Sequence, residues 1–325
     1  MPARQTCLCK DDQDADRKDV QKDSLMKNLL VICGATATGK TSLAVACAKA
    51  LSSQVISADS QLIYRGLDIG TAKPTEAERD GVVHHMIDIV PPNASFSVSD
   101  YRAAAMPVLR SIAEGGKIPV VCGGTGFYIN SLLFDYSYAG AAGNEEVRNK
   151  YRAILEEKGC DYLYGLLQQV DGRSAQTIHK NDTKRVIRAL EIFEVSGRRK
   201  SELSDGKKSM FNYLAVAVDY PRDVLYSRIG ARVEEMFERG LVDEVRSLLS
   251  VGIDEKCQSM QAIGYKEILE GIRCGYSQST MCDKIKQNTR HYAKRQLTFF
   301  KKLPGIVWLD YREASPEKIL ELLND

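Results

Sequence analysis

The chain has 325 residues, of which 44% are hydrophobic and 27% charged, and a formal net charge of +2. That is the composition of a globular protein with enough length for a sizeable core, in one large domain or two modest ones. It excludes nucleic-acid binding by bulk positive charge, so any such surface must come from charge segregation. No apolar run approaches the roughly 18 residues that a membrane helix needs, and no membrane partner is expected. Residues 1–26 are polar and rich in aspartate, unlike a signal or transit peptide, and read as a disordered N-terminal extension. "NLLVIC" (28–33) reads as a buried strand and "TSLAVACAKAL" (41–51) as an apolar-faced helix. "QVISA" (54–58) and "IPVVC" (118–122) read as further strands, separated by helical spacing over 97–116. Strands alternating with helices imply a parallel sheet covered on both faces.

Strand signals vanish over 136–208, where "NEEVRNKYRAILEEKG", "YLYGLLQQV" and "DTKRVIRALEIFEVSG" have helical period. In the last segment Val186, Leu190 and Phe193 mark the apolar face, and Arg185 and Arg188 project together one turn apart. "YLAVAVDYP" (213–221) returns to a strand, helices follow, and "IVWLD" (306–310) closes as a last strand. The expected organisation is an α/β core over 27–135 and 209–325, with a helical domain inserted at 136–208.

"GATATGKT" at 34–41, between a strand and a helix, has the spacing of a phosphate-binding loop. Gly34 allows the tight turn, and backbone N–H groups of Ala35, Thr36, Ala37, Thr38 and Gly39 face inward toward an anion. The following helix N-terminus adds its positive dipole end. Lys40 supplies a point charge, and Thr41 offers a hydroxyl to Mg²⁺. Nucleotide hydrolysis would also want an Asp ending a second apolar strand, but "IPVVC" ends in glycines and Asp219 is far along the chain. The second strand instead delivers Asp59 to the carboxyl edge of the sheet, where such folds bind ligands. A carboxylate there suits a general base acting on a weak nucleophile, or else an N-cap or an outer Mg²⁺ partner.

From Lys284 to Lys302 there are seven Lys/Arg and no acidic residue, a stripe suited to phosphate contact. Tyr292, Phe299 and Phe300 within it read as core rather than base-stacking residues. "HKNDTKR" and "GRRK" in the insertion make a second basic patch. His84 and His85 have no nucleophile or ligand set nearby and read as structural. Nine cysteines without zinc spacing read as reduced thiols in a cytoplasmic protein.

"GATATGKT", "ADSQLIYRGLDIGTAKP", "HHMIDI", "FSVSDYR", "VVCGGTGFYI", "NDTKRVIRALEI" and "SMQAIGYKE" occur in that order. Together they resemble the tRNA dimethylallyltransferases, also called tRNA isopentenyltransferases, from about residue 28 to 310. The resemblance implies a P-loop NTPase-like parallel core with an inserted helical tRNA-binding domain. It implies Mg²⁺-dependent transfer of a dimethylallyl group from dimethylallyl diphosphate to N6 of adenosine 37 in the anticodon arm of tRNA. Thr36 to Thr41 match the diphosphate loop, and Asp59 matches the aspartate that accepts the N6 proton. Ser60, Gln61 and Leu62 match the stretch touching the target base, and Thr125 a threonine near the acceptor. Arg148 is similar to an arginine near the reacting groups, across a variable loop. Lys184, Arg185 and Arg188, and Gln261, Gly264, Tyr265 and Lys266, match tRNA-contacting segments. Ala35 stands where relatives often have proline, and Thr38 where serine is frequent. The absence of a Cys/His extension after the core points to the bacterial type, and the family suggests a monomer. Prenylation of free AMP, ADP or ATP, a small-molecule kinase, and a non-enzymatic RNA-binding module remain the rival readings.

Overall fold

The structure, a computed structural model, describes residues 27–135, 143–203 and 208–324. The N-terminal extension expected at 1–26 lies outside the described residues. By backbone packing the chain divides into two units, Met1–Leu133 with Ser209–Asp325, and Phe134–Lys208.

The first unit begins with β1 (Lys27–Cys33), the phosphate loop and α1 (Lys40–Ala50). β2 (Val55–Ser57), a short α2 (Glu76–Arg79) and the two-residue β3 (His84–His85) follow. α3 (Val98–Glu114) starts at a capping box in which Ser97 and Asp100 exchange side-chain bonds with each other's backbone N–H. β4 (Val120–Gly123) and α4 (Gly126–Leu133) complete this half.

The second unit holds α5 (Glu145–Val170), α6 (Gly172–Thr177) and α7 (Thr183–Ser196). α5 is two helices joined at Gly159, whose φ of 79° interrupts the helical backbone. The unit has its own core, built on Tyr151, Leu163, Leu167, Ile178, Val186 and Leu190. Phe193 corrects the sequence reading, because it is exposed. Val186, Ile187 and Leu190 carry the buried face instead. Asp171 locks α6 to the segment after α7, accepting from the N–H and hydroxyl of both Ser174 and Ser201.

The chain then returns to the first unit with β5 (Asn212–Asp219), α8 (Arg222–Glu238) and α9 (Leu241–Ser250). α10 (Tyr265–Cys274), α11 (Gln278–Phe300), β6 (Ile306–Asp310) and α12 (Pro316–Asn324) end it. Six strands form one sheet in the order β3-β2-β4-β1-β5-β6, and every pairing is parallel. Leu30, Ile32, Val120 and Val216 are fully buried at its centre, as expected for strands covered on both faces. β3 was not expected. It is an edge strand without an apolar run, where His85 Nε2 and Gln54 Oε1 lie 2.6 Å apart. Among the described residues no helix is long and apolar enough to cross a membrane.

Candidate active site

The carboxyl ends of β1, β2 and β4 open into one cleft of about 770 Å³, wholly within the first unit. On one side lies the phosphate loop. Gly34 (φ 121°), Ala37 (φ 63°) and Gly39 (φ 80°) adopt left-handed backbone, which turns successive N–H groups to one side. Ala37 does this with a Cβ, at a cost of order 1 kcal/mol that the surroundings must offset. Those surroundings are visible. Thr38 Oγ1 donates to the Ala35 carbonyl at 2.9 Å, and Lys40 Nζ donates to the same oxygen. Arg228 Nε donates to the Ala37 carbonyl at 2.7 Å. Thr36 N donates to Gln296 Oε1 at 2.9 Å, and Gln296 Nε2 donates to the Gly124 carbonyl at 2.9 Å. One amide from α11 thus ties the phosphate loop to the turn after β4.

Not every loop residue faces the cleft. Gly34 and Ala35 lie beneath it, and the Thr38 hydroxyl is spent on the loop itself. Thr36, Lys40 and Thr41 line the opening. Lys40 has its pKa lowered to about 8, chiefly by burial and further by the Arg232 guanidinium, against opposing attraction from Cys122 and Asp59. Arg232 lines the same cleft, and burial depresses its pKa too. The two cations therefore await an anion.

Asp59 stands across the opening, just past β2. Its Oδ1 accepts from Gln61 N at 2.9 Å, which fixes the carboxylate in a local turn. Ser60 N donates to Thr125 Oγ1 at 3.0 Å, and Thr125 N donates to the Ala58 carbonyl at 3.0 Å. The glycines of "GGTG" permit these contacts. A Cβ on Gly123 would lie 2.2 Å from the Ala58 oxygen, one on Gly124 2.2 Å from Gln296 Nε2, and one on Gly126 2.2 Å from the Phe299 ring. Tyr292, half-buried in the cleft, has its hydroxyl pKa raised by burial and by the Asp59 charge.

The wall at 68–73 is held by charged side chains, of which Lys73 is buried. Glu244 accepts from Asp68 N at 2.9 Å, Ile69 N at 2.7 Å and Gly70 N at 3.1 Å. Lys73 donates to the Tyr64 carbonyl at 2.9 Å, to Asp68 Oδ1 at 2.6 Å and to Asp88. An ammonium has three donors, so Lys73 has none left for a ligand although it lines the cleft.

The cleft gathers Thr36 to Thr41, Asp59, Ser60, Gln61, Leu62, Gln261 and Lys266. Thr125 supports it from behind. Tyr265 corrects the expectation of tRNA contact. Its side chain is fully buried, its hydroxyl donates to Glu244 at 2.5 Å, and a Cβ on Gly70 would lie 2.5 Å from its ring. It therefore fixes the 68–70 wall, and Gly264 (φ 100°) provides the turn that admits it.

Arg148, Lys184, Arg185 and Arg188 belong to the helical unit. There Glu191, fully buried, accepts from Arg148 Nε at 3.0 Å and pairs with Arg188 at 2.8 Å. Burial would raise the Glu191 carboxyl pKa, but Arg188, Asn144 N–H and Arg148 hold it below its ordinary value. Lys184 and Arg185 are exposed, the latter paired with Asp182 at 3.2 Å.

Fold and cleft together define a P-loop NTPase-like α/β protein whose anion loop faces a fixed carboxylate across one opening. Comparison with known proteins narrows the class. The IPP transferase family model matches residues 62–303, and the isopentenyl transferase model residues 27–89. The chain is 44% identical over 300 residues to the tRNA dimethylallyltransferase of Bacillus cereus, covering 92% of this chain and 94% of that one. The crystal structure of the full-length tRNA isopentenylpyrophosphate transferase from Bacillus halodurans matches with a TM-score of 0.68 at 41% identity, over 91% of this chain and 94% of that one. A eukaryotic dimethylallyltransferase crystallised acting on tRNA matches with a TM-score of 0.74 at 30% identity, over 88% of this chain and 74% of that one. The chain belongs to the tRNA dimethylallyltransferase family.

Proposed function

We infer that the chain transfers the dimethylallyl group of dimethylallyl diphosphate to tRNA, and that the acceptor is N6 of adenosine 37 in the anticodon arm. The observation that carries this reading is the single cleft in which the phosphate loop and the Asp59–Gln61 stretch face one opening. The loop amides, Lys40 and Arg232 would hold the diphosphate. The target adenine would enter on the Asp59 side, which requires it to leave its stack. The N6 lone pair then forms a bond to the allylic carbon as the carbon–oxygen bond breaks, and its electron pair leaves with the diphosphate. Asp59 takes the N6 proton. An exocyclic amine is a weak nucleophile, so alignment and charge neutralisation supply most of the acceleration.

The site fits Mg²⁺. Thr41 Oγ1 lines the cleft at the start of α1 and has no hydrogen-bond partner among the described residues. No group of three or more His, Cys, Asp or Glu that could hold a metal occurs among those residues. That pattern suits a cation held by one protein hydroxyl, substrate phosphates and water. Bound there, Mg²⁺ would neutralise developing charge on the leaving diphosphate. Exposed cations of the helical unit, Lys184 and Arg185 among them, would contact tRNA phosphates, exchanging weak surface pairs for them. The reading also places the protein in the cytoplasm as a monomer, and the seven unpaired described cysteines accord with a reducing compartment.

The test is a transfer assay with Mg²⁺ and labelled dimethylallyl diphosphate, offering unmodified tRNA, AMP or ATP. Label should enter tRNA alone, and Asp59→Asn should lower the single-turnover rate by roughly 10²–10⁴-fold without weakening tRNA binding. Label only in free nucleotide would replace this reading with adenylate prenylation.

A further inference from the structure

α4 carries an exposed aromatic ring beside the acceptor side of the cleft. Phe127 is 64% exposed, in the motif "GGTGFY" two residues after Thr125. Its ring meets Phe299 edge-on, with centroids 5.2 Å apart and planes at 65°. Phe299 in turn rests edge-on against the fully buried Phe300 at 5.7 Å. Phe127 is thus an exposed ring resting on Phe299, which itself packs on the buried Phe300. The bracing depends on Gly126, where a Cβ would fall 2.2 Å from Phe299.

The charge around it is one-sided. Of the seven cations of the 284–302 stripe, Arg290 lies over the Tyr226 ring, 5.3 Å from its centroid, and the other six divide into two groups. Lys284 pairs with Glu270 at 2.8 Å and Lys286 with Glu234 at 2.6 Å. Lys294, Arg295, Lys301 and Lys302 are exposed, and none forms an ion pair with a described residue. Arg295 lies one helical turn before Phe299 and lines the cleft. Arg295 thus shares the Phe299 face of α11, and Lys301 and Lys302 follow directly where the helix ends at Phe300.

We propose that Phe127, braced by Phe299, is a stacking platform for an unstacked nucleobase of the substrate tRNA adjoining the target adenosine, with the flanking phosphates met by Arg295 and Lys302. The inference rests on tRNA being the substrate. Extracting one adenine from a loop leaves its neighbours without a stacking partner, and an aromatic face beside the entrance replaces it. Positive charge on the same helix complements the backbone on either side of that base. A stacking face reads any base, so the platform would supply affinity and register more than sequence choice.

The experiment compares the parent protein with Phe127→Ala and Phe127→Trp. Each is assayed for transfer to an unmodified anticodon stem-loop and to stem-loops bearing an abasic nucleotide on one side or the other of the target adenosine. Transfer by the parent protein is measured first, so that failure of the tRNA reading shows there and not in the variants. Phe127→Ala should raise the KM for the stem-loop roughly 5- to 100-fold. It should leave the KM for dimethylallyl diphosphate and the Tm unchanged, and Phe127→Trp should retain parent affinity. The abasic nucleotide at the stacked position should abolish the difference between parent and Phe127→Ala, because the same contact is then missing from both. An unchanged stem-loop KM in Phe127→Ala overturns the proposal. So does a deficit of equal size on every abasic substrate, or a fall in Tm that accounts for the loss. Concentration-dependent self-association that disappears in Phe127→Ala, with stem-loop KM unaltered, would assign the ring to a contact between copies of the chain instead.

Discussion

Raising the pH should loosen the grip on the diphosphate, and Lys40 should be the reason. Burial brings its pKa to about 8, from the ordinary 10.5. The charged form in the unliganded protein thus carries a penalty of about 3 kcal/mol. A bound diphosphate gives the ammonium its counter-charge and draws the pKa back upward. Below pH 8 the lysine enters binding already protonated, so affinity is fully present. Above pH 8 binding must take up a proton, and the dissociation constant should rise about tenfold by pH 9. Titration calorimetry with dimethylallyl diphosphate at fixed Mg²⁺, in buffers of different ionisation enthalpy, reads both the affinity and the proton uptake. Lys40→Met should bind more weakly at pH 7 and lose the pH dependence. A flat affinity between pH 7 and 9, or the same slope in Lys40→Met, would refute the reasoning. The unliganded protein should show the opposite trend. A lysine with a lowered folded pKa leaves the unfolded chain holding more protons between pH 8 and 10.5, so this group adds stability as pH rises through that window.

Gln296→Met keeps the shape of the side chain but strands the buried Gly124 carbonyl, at about 1–3 kcal/mol, and frees the part-buried Thr36 N–H. Thermal denaturation should show the loss, and single-turnover transfer should slow with it. Glu244→Ala removes the acceptor shared by Asp68, Ile69 and Gly70. Hydrogen exchange at those amides should accelerate while the phosphate-loop amides stay protected. In the helical unit, burial would raise the Asp171 carboxyl, yet bonds from Ser174 and Ser201 hold it at about 2. Because that pKa is depressed on folding, its stabilisation is present above about pH 4 and lost as pH falls toward 2. Asp171→Asn should lower the Tm at pH 7 and flatten its decline over that acid range.

The core strands were legible because each is an apolar run ending at a turn signal, and the phosphate loop because its chemistry is local. β3 was illegible for the converse reason. Two histidines at a sheet edge carry no period, and only pairing with Val55 and Ile56 makes them a strand. The supports of the cleft are long-range. Gln296 acts on Thr36 across 260 positions, and Glu244 on Gly70 across 174. Both sit on helices where an amide or a carboxylate reads as ordinary solvent-facing polarity. The assignment of Tyr265 to tRNA followed its motif, which marks a turn but does not say whether the ring faces out or in. Gly70, which leaves room for that ring, is the physical sign of inward packing, and it lies in a different motif.

Cys122 lines the cleft beside the phosphate loop, with its Sγ 3.5 Å from the Lys40 carbonyl. An allylic diphosphate is an electrophile, and a thiolate is a far better nucleophile than the amine it is meant to meet. Burial pushes the Cys122 thiol up to about 12, against the pull of the Lys40 charge. At neutral pH only about one molecule in 10⁵ then carries the thiolate, against a few per cent for an exposed cysteine. A thiol so rarely ionised would keep that wall chemically silent toward an allylic diphosphate held in the cleft, sparing the protein alkylation by its own donor.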